Sequence, residues 1–275
     1  LRNADRDRKR PLAAAGNGTK LEGMTKTALI TGAAKRVGRA IALELAGAGY
    51  DIAIHFRESR KDAAALAREI ENLGRRTALI QADLEDEAAV EAILPAAIEQ
   101  LGPVTVLVNN ASLFERDEAL DTTRAGWDRQ LAVNLRAPFV LMQQFARLLP
   151  MDGAGAIVNL LDQRVWNLTP HFVSYTISKT ALWTLTQTMA LALAPRIRVN
   201  AVGPGPILPN DNQSAEQFHT HWSSLPLQRK IHPADVARTV KFLIESPALT
   251  GQMIAVDGGE HLAWAQPKRG VVPPE

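Results

Sequence analysis

Short apolar runs alternating with amphipathic stretches constrain this chain more than any other feature. Residues 27–31 (TALIT), 51–56 (DIAIHF), 77–82 (TALIQA), 104–110 (VTVLVNN), 156–161 (AIVNLL), 197–204 (IRVNAVGP) and 252–259 (QMIAVDGG) read as strands. Most are aliphatic almost throughout, as expected of strands buried on both faces. Helical stretches lie between them: 40–49 (AIALELAGAG), 61–73, 87–101, about 125–148, 172–194 and 233–245. On 61–73, Ala65, Leu66, Ile70 and Leu73 share one side at helical spacing. Strands joined through helices pair in parallel, and right-handed crossovers put helices on both faces. The expectation is one α/β domain, a doubly wound sheet of about seven parallel strands.

A length of 275 residues suits one such domain with a substantial core. Residues 1–10 carry five basic and two acidic groups, while the whole chain is only +2. The body is therefore nearly neutral and offers no footprint for nucleic acid. We expect a basic disordered or appended tail over 1–23, with Met24 as a plausible start. The domain should span 24–262, with a substrate lid at 204–230 and a tail at 263–275. The lid stretch is rich in Pro and Asn and follows a strand end, where ligand-covering loops occur. With no cysteine, disulfides, thiolate zinc sites and cysteine nucleophiles are excluded. That fits a reducing compartment, and a cytoplasmic location is the expectation. No 18-residue apolar stretch could span a membrane, and the tail lacks the apolar core of a signal peptide. His219 and His221 diverge at their two-residue spacing on a helix, so no metal is expected.

Thr31-Gly32-Ala33-Ala34-Lys35-Arg36-Val37-Gly38 follows the first strand and opens a helix. Gly32 and Gly38 allow close approach of backbone to phosphate, and the helix start supplies free N–H groups. Arg36, with Val37 behind it, brings positive charge to the pyrophosphate position. The second strand ends in His55-Phe56-Arg57-Glu58-Ser59, with Asp51 back at its beginning. Arg57 can hold a 2′-phosphate with help from Ser59, against the competing charge of Glu58. NADP(H) is the expected cofactor, with His55 and Phe56 also in contact. Asp83 and Leu84 end the third strand, where Asp83 can accept from an adenine amine or cap a helix.

Tyr175 and Lys179 stand four residues apart and share a helix face. An ammonium there favours the phenolate and so loosens the proton of a tyrosine acid. Asp162 lies thirteen residues before the tyrosine. An ionised carboxylate can only accept hydrogen bonds. It repels a developing alkoxide and suits a substrate rich in N–H groups.

Together TGAAKRVG, Asp83, Asn109-Asn110-Ala111, Asn134, Tyr175-x3-Lys179 and Pro204-Gly205 resemble the short-chain dehydrogenase/reductase family, from about residue 26 to 262. The resemblance implies a Rossmann-like fold and a homotetramer, with helices 125–148 and 172–194 at subunit contacts. It implies that Asn110, Ala111 and Ser112 line the cofactor and that Lys179 holds the nicotinamide ribose. Pro204, Gly205 and Ile207 would lie by the carboxamide, although Ile207-Leu208 stands where the family often has Thr. Asn134 would hold a water in a proton relay. Most members have Ser where this chain has Asp162. The Arg36 of TGAAKR, NNAS followed by Leu113-Phe114, and NLLD resemble the pteridine reductase branch. That likeness implies Phe114 stacking a pterin ring, with Arg36, Ser112, Asp162 and Tyr175 touching the substrate. The implied reaction is NADPH-dependent reduction of a dihydropterin C=N, with the proton from Tyr175. The rival readings are a 3-oxoacyl-thioester or other carbonyl reductase, and an NADP-binding sensor without turnover.

Overall fold

The computed structural model describes residues 26–209 and 214–262. The tails expected at 1–23 and 263–275, and Met24, lie outside the described residues. The strands are β1 (Thr27–Ile30), β2 (Asp51–Phe56), β3 (Thr77–Gln81), β4 (Val106–Asn109), β5 (Gly155–Leu160), β6 (Ile197–Pro204) and β7 (Met253–Val256). They form one seven-stranded sheet in the order β3-β2-β1-β4-β5-β6-β7. Every neighbouring pair is parallel. Successive side chains feed opposite faces. On β1, Ala28 and Ile30 enter one core and Leu29 the other.

The helices are α1 (Arg36–Gly47), α2 (Arg60–Asn72), α3 (Glu87–Leu101), α4 (Arg124–Leu131), α5 (Ala137–Leu148), α6 (Val173–Leu193), α7 (Ala215–Ser223) and α8 (Pro233–Glu245). Ile41, Leu66 and Val240 of α1, α2 and α8 build the first core. Ile93, Phe145 and Leu182 of α3, α5 and α6 build the second. Among the described residues, no helix is long and apolar enough to cross a membrane.

Two expectations need correction. The stretch 125–148 is not one helix, because a π turn at Ala132–Arg136 separates α4 from α5. Pro138 has no N–H to continue an α-helical ladder, and the Ala137 N–H reaches back five residues to Ala132. Nor is 204–230 wholly irregular. It contains α7, started by a capping box between Ser214 and Gln217. Along α4, α5 and α6, Leu131, Leu135, Phe139 and Leu185 line an apolar groove of about 660 Å³.

The chain runs outward from β1 to β2 and β3, then returns to place β4 on the other side of β1. At that switch point the loops after β1 and β4 part and leave a crevice at the carboxyl ends of the strands.

Candidate active site

That crevice opens into a cavity of about 410 Å³ lined by residues from many parts of the chain. Its cofactor side begins at α1. Lys35, the residue before the helix, makes no side-chain cap, and the first turn holds no acid. The leading N–H groups are thus free for an anion. Lys35 itself pairs with Asp62 of α2 at 3.1 Å. Arg36 adopts a positive φ of 53°, and its guanidinium donates to the Pro209 carbonyl at 3.3 Å, joining the turn to the segment after β6.

Both glycines answer to close packing. Gly32 has φ +61°, and a Cβ on Gly38 would meet the Gly32 oxygen at 2.3 Å. Asn110 pins the same turn, donating from Nδ2 to the Thr31 oxygen at 2.8 Å, while Thr31 Oγ1 accepts from the Asn110 and Ala111 N–H groups. A glycine turn held this way, an uncapped helix start and a nearby guanidinium fit a dinucleotide pyrophosphate.

The adenosine end is more open. Arg57 is half exposed and pairs with Glu58 at 3.4 Å. Ser59 precedes α2 without capping it. Asp83 Oδ1 accepts from the Glu85 N–H at 3.0 Å, a local turn. The cap of α3 is Asp86, not Asp83. Phe56 and Leu84 are buried.

The His55 ring is buried and not free for a ligand. Nδ1 accepts from the Gly32 N–H at 3.1 Å, and Nε2 lies 3.2 Å from the Ala82 carbonyl, which fixes the neutral Nε2–H tautomer. The ring thus ties the glycine turn to the end of β3. Burial pushes its pKa down from 6.5 to about 4. Below pH 6.5 the unfolded chain takes up a proton that the folded chain refuses. Stability should be full above pH 6.5 and fall as pH drops toward 4, by about 3 kcal/mol in all. Urea unfolding of the protein and of His55→Gln between pH 7.5 and 4.5 checks this; equal pH slopes would refute it.

The chemical end is built on β5 and α6. Tyr175 is buried, and its hydroxyl donates to Asp162 Oδ2 at 3.0 Å. Arg164 donates to the same carboxylate from its backbone N–H at 2.9 Å and from its guanidinium at 3.2 Å. The Arg164 guanidinium also lies over the Phe114 and Phe172 rings, 5.4 and 5.3 Å from their centroids. Lys179, buried one helical turn beyond Tyr175, donates to the Leu160 carbonyl at 2.8 Å. Burial lowers its pKa to about 8 against the pull of Asp162.

The phenol is not loosened as expected. Burial first, then the Asp162 charge, raises the Tyr175 pKa well above its usual range. The Lys179 ammonium donates to Leu160 rather than to the phenol, with Nζ 5.7 Å from the ring centroid.

Asn134, fully buried at the π turn, uses its side chain to hold the loop after β4. Its Oδ1 accepts from the Leu113 N–H at 2.8 Å and from Ser112 Oγ at 3.2 Å. Its Nδ2 donates to the Leu113 carbonyl and Gln130 Oε1 at 2.9 Å and to Ser178 Oγ at 3.1 Å. Phe114 reaches the cavity, but one face is taken. It stacks on Phe172 at 4.4 Å and meets the Tyr175 ring edge-on at 4.7 Å. Pro204, Gly205 and Ile207 also line the cavity, where a Cβ on Gly205 would strike Asp257.

Phe172, Gln163, His221 and Glu260 also line the cavity without having been singled out from sequence as site residues. His221 Nε2 meets Glu260 Oε1 at 2.8 Å, linking α7 to the turn after β7. His219 instead faces Trp222. Among the described residues no cluster of three or more His, Asp or Glu could hold a metal.

Residues 32–261 match the family described as enoyl-(acyl carrier protein) reductase. The 3-oxoacyl-[acyl-carrier-protein] reductase FabG of Staphylococcus aureus strain N315 is 35% identical over 244 residues, 87% of this chain and 99% of that protein. A solved structure of FolM alternative dihydrofolate reductase 1 from Brucella canis, complexed with NADP, is 46% identical with a TM-score of 0.85. It covers 89% of this chain and 97% of its own. The Brucella suis FolM structure, also with NADP, is 47% identical with a TM-score of 0.85, covering 88% and 97%.

Proposed function

Because this chain belongs to the short-chain dehydrogenase/reductase family, we propose that it reduces a ring C=N of a dihydropterin-type substrate with NADPH. One observation carries the choice of substrate: the buried Tyr175 hydroxyl donates to a carboxylate, Asp162, at 3.0 Å. An acceptor-only group beside the proton donor suits a ring bearing N–H groups and opposes a developing alkoxide. The FolM structures, named as dihydrofolate reductases and complexed with NADP, support the same reading.

NADPH, when bound, supplies the hydride. The turn Gly32–Gly38 and the start of α1 would hold its pyrophosphate, Arg57 and Ser59 its 2′-phosphate, and Lys179 its nicotinamide ribose. The chain's own chemistry is the proton. The raised pKa keeps it on Tyr175 across the physiological range, so the site presents a neutral phenol as donor. Asp162 fixes the direction of that hydroxyl until a ring nitrogen takes the proton. Arg164 holds both oxygens of the carboxylate, sharing Oδ2 with Tyr175, and the stacked Phe114–Phe172 pair offers an apolar surface for a planar ring.

The likeness to FabG favours a second reading, reduction of a 3-oxoacyl thioester. One assay separates them: NADPH oxidation by the purified protein with dihydromonapterin, dihydrobiopterin, dihydrofolate and an acetoacetyl thioester. Turnover of a dihydropterin with kcat/KM at least about tenfold above the thioester is expected. Consumption of the thioester alone would overturn the proposal.

A further inference from the structure

We infer that Asp117 is a positioning residue for the proton transfer: from the loop after β4 it caps α6 and so fixes where Tyr175 stands. The inference rests on Tyr175 being the proton donor, whichever substrate takes the proton. A helix leaves its first N–H groups without partners inside it, and a side chain just before the helix ordinarily takes one. Asp86, Thr123 and Ser214 do so for α3, α4 and α7. Phe172, which precedes α6, has no acceptor to offer. The cap comes instead from a residue 57 positions away. The Ser174 N–H donates to the Asp117 carboxylate, with both oxygens at 3.2 Å, and Ser174 directly precedes Tyr175. The Asp117 carbonyl also accepts from the Phe172 N–H at 2.9 Å. The helix dipole favours a carboxylate at this end.

A local cap would stabilise the helix equally well. A remote one also ties the helix to the loop, and here both tied parts carry site residues. Asn134 holds the loop at Leu113, and Asp117 holds it again beyond Phe114. Phe114 thus lies between two anchors, stacked on Phe172. Phe172 itself has φ 60° and ψ 51°, a left-handed conformation that is rare for an aromatic residue. Such strain persists where the surroundings enforce it, and it gathers at functional sites. The surroundings here are the bond to Asp117 and the stack on Phe114, and the Phe172 ring lines the cavity. A second tie, His171 to Glu118 at 2.8 Å, is half exposed and joins the same two parts weakly. Tyr175, in the same first turn of α6, has to bring its hydroxyl to Asp162. Misplacing a reacting group by about 1 Å costs about a hundredfold in rate. Without the Asp117 carboxylate, the turn that carries Tyr175 loses its tie.

The test measures kcat per NADPH-binding site, counted by fluorescence titration, with the substrate that the wild type turns over. Asp117→Ala should lower kcat about thirtyfold, with NADPH affinity within about twofold of wild type. Asp117→Asn keeps an acceptor at the same reach and should stay within about threefold. A double-mutant cycle supplies the second readout. In the Tyr175→Phe background, Asp117→Ala should change the residual kcat by no more than about twofold, because its effect runs through the hydroxyl. A cap that serves stability alone would lower Tm and leave kcat per site near wild type. A general loosening of the site would cost the same in both backgrounds. Either result overturns the inference. Where Asp117→Ala yields no folded protein, Asp117→Glu decides, since it keeps the charge but is one methylene too long. A loss of about tenfold in kcat at unchanged Tm supports the inference, and a kcat within about twofold of wild type overturns it. Failure of the donor reading looks different: Tyr175→Phe alone then keeps kcat within about tenfold, and both fall.

Discussion

Tyr175→Phe should lower kcat by about a thousandfold with dihydropterin substrates while leaving NADPH affinity within about threefold. The substitution deletes one oxygen from a buried ring and keeps the edge-on contact with Phe114. Asp162 keeps its two bonds from Arg164, so the carboxylate stays in place. What is lost is the donor alone. An interaction made chiefly in the transition state should reduce kcat and kcat/KM together and leave KM nearly unchanged. Steady-state kinetics and NADPH titration by fluorescence check both halves. A kcat within tenfold of wild type would remove Tyr175 from the proton path, and solvent or another side chain would have to deliver the proton.

That outcome would also bear on Lys179. A four-residue spacing predicts that Tyr175 and Lys179 share one helix, α6, and the structure shows in addition that both are buried. It does not predict where the ammonium points. The choice depends on the Leu160 carbonyl at the end of β5, a residue that sequence distance hides. The same limit runs through the site. The strands are readable because burial on both faces leaves an apolar run, and helical connections imply parallel pairing, but the order of the strands is read only from the structure. The glycine turn was readable because Gly32 and Gly38 are demanded by local geometry.

Gln163, Phe172, His221 and Glu260 carried no local signature. The turn after β5, the start of α6, the lid helix α7 and the turn after β7 bring them to the cavity from separate elements. The π turn was equally hidden, because apolar periodicity continues across Pro138, a residue that can also open a helix. His55 was readable as a residue at the cofactor end of β2. Its use of both ring nitrogens on backbone groups required knowing that Ala82 and Gly32 flank it.

Asp162→Ser should cut kcat/KM for dihydropterins by about a hundredfold or more and raise activity on an acetoacetyl thioester, with NADPH binding nearly unchanged. Three effects act together. The acceptor for ring N–H groups disappears. A hydroxyl that can donate to a carbonyl oxygen takes its place. Tyr175 also loses the carboxylate charge that holds its pKa up, so the phenol becomes a stronger acid. The change has a structural cost as well, since Arg164 loses its partner in a pair whose side chains are only 21% and 16% exposed. Breaking a partly buried pair should cost about 1–3 kcal/mol, less than for a fully enclosed one.

Stability and specificity can be separated with Asp162→Ser/Arg164→Met, which removes the stranded guanidinium. Tm should recover toward wild type while dihydropterin turnover stays low. If turnover recovers with Tm, Asp162 serves packing and not recognition. If Asp162→Ser keeps full dihydropterin activity, the carboxylate does not choose the substrate. The preference for a nitrogen-bearing ring would then have to come from the Phe114–Phe172 pair and Arg36.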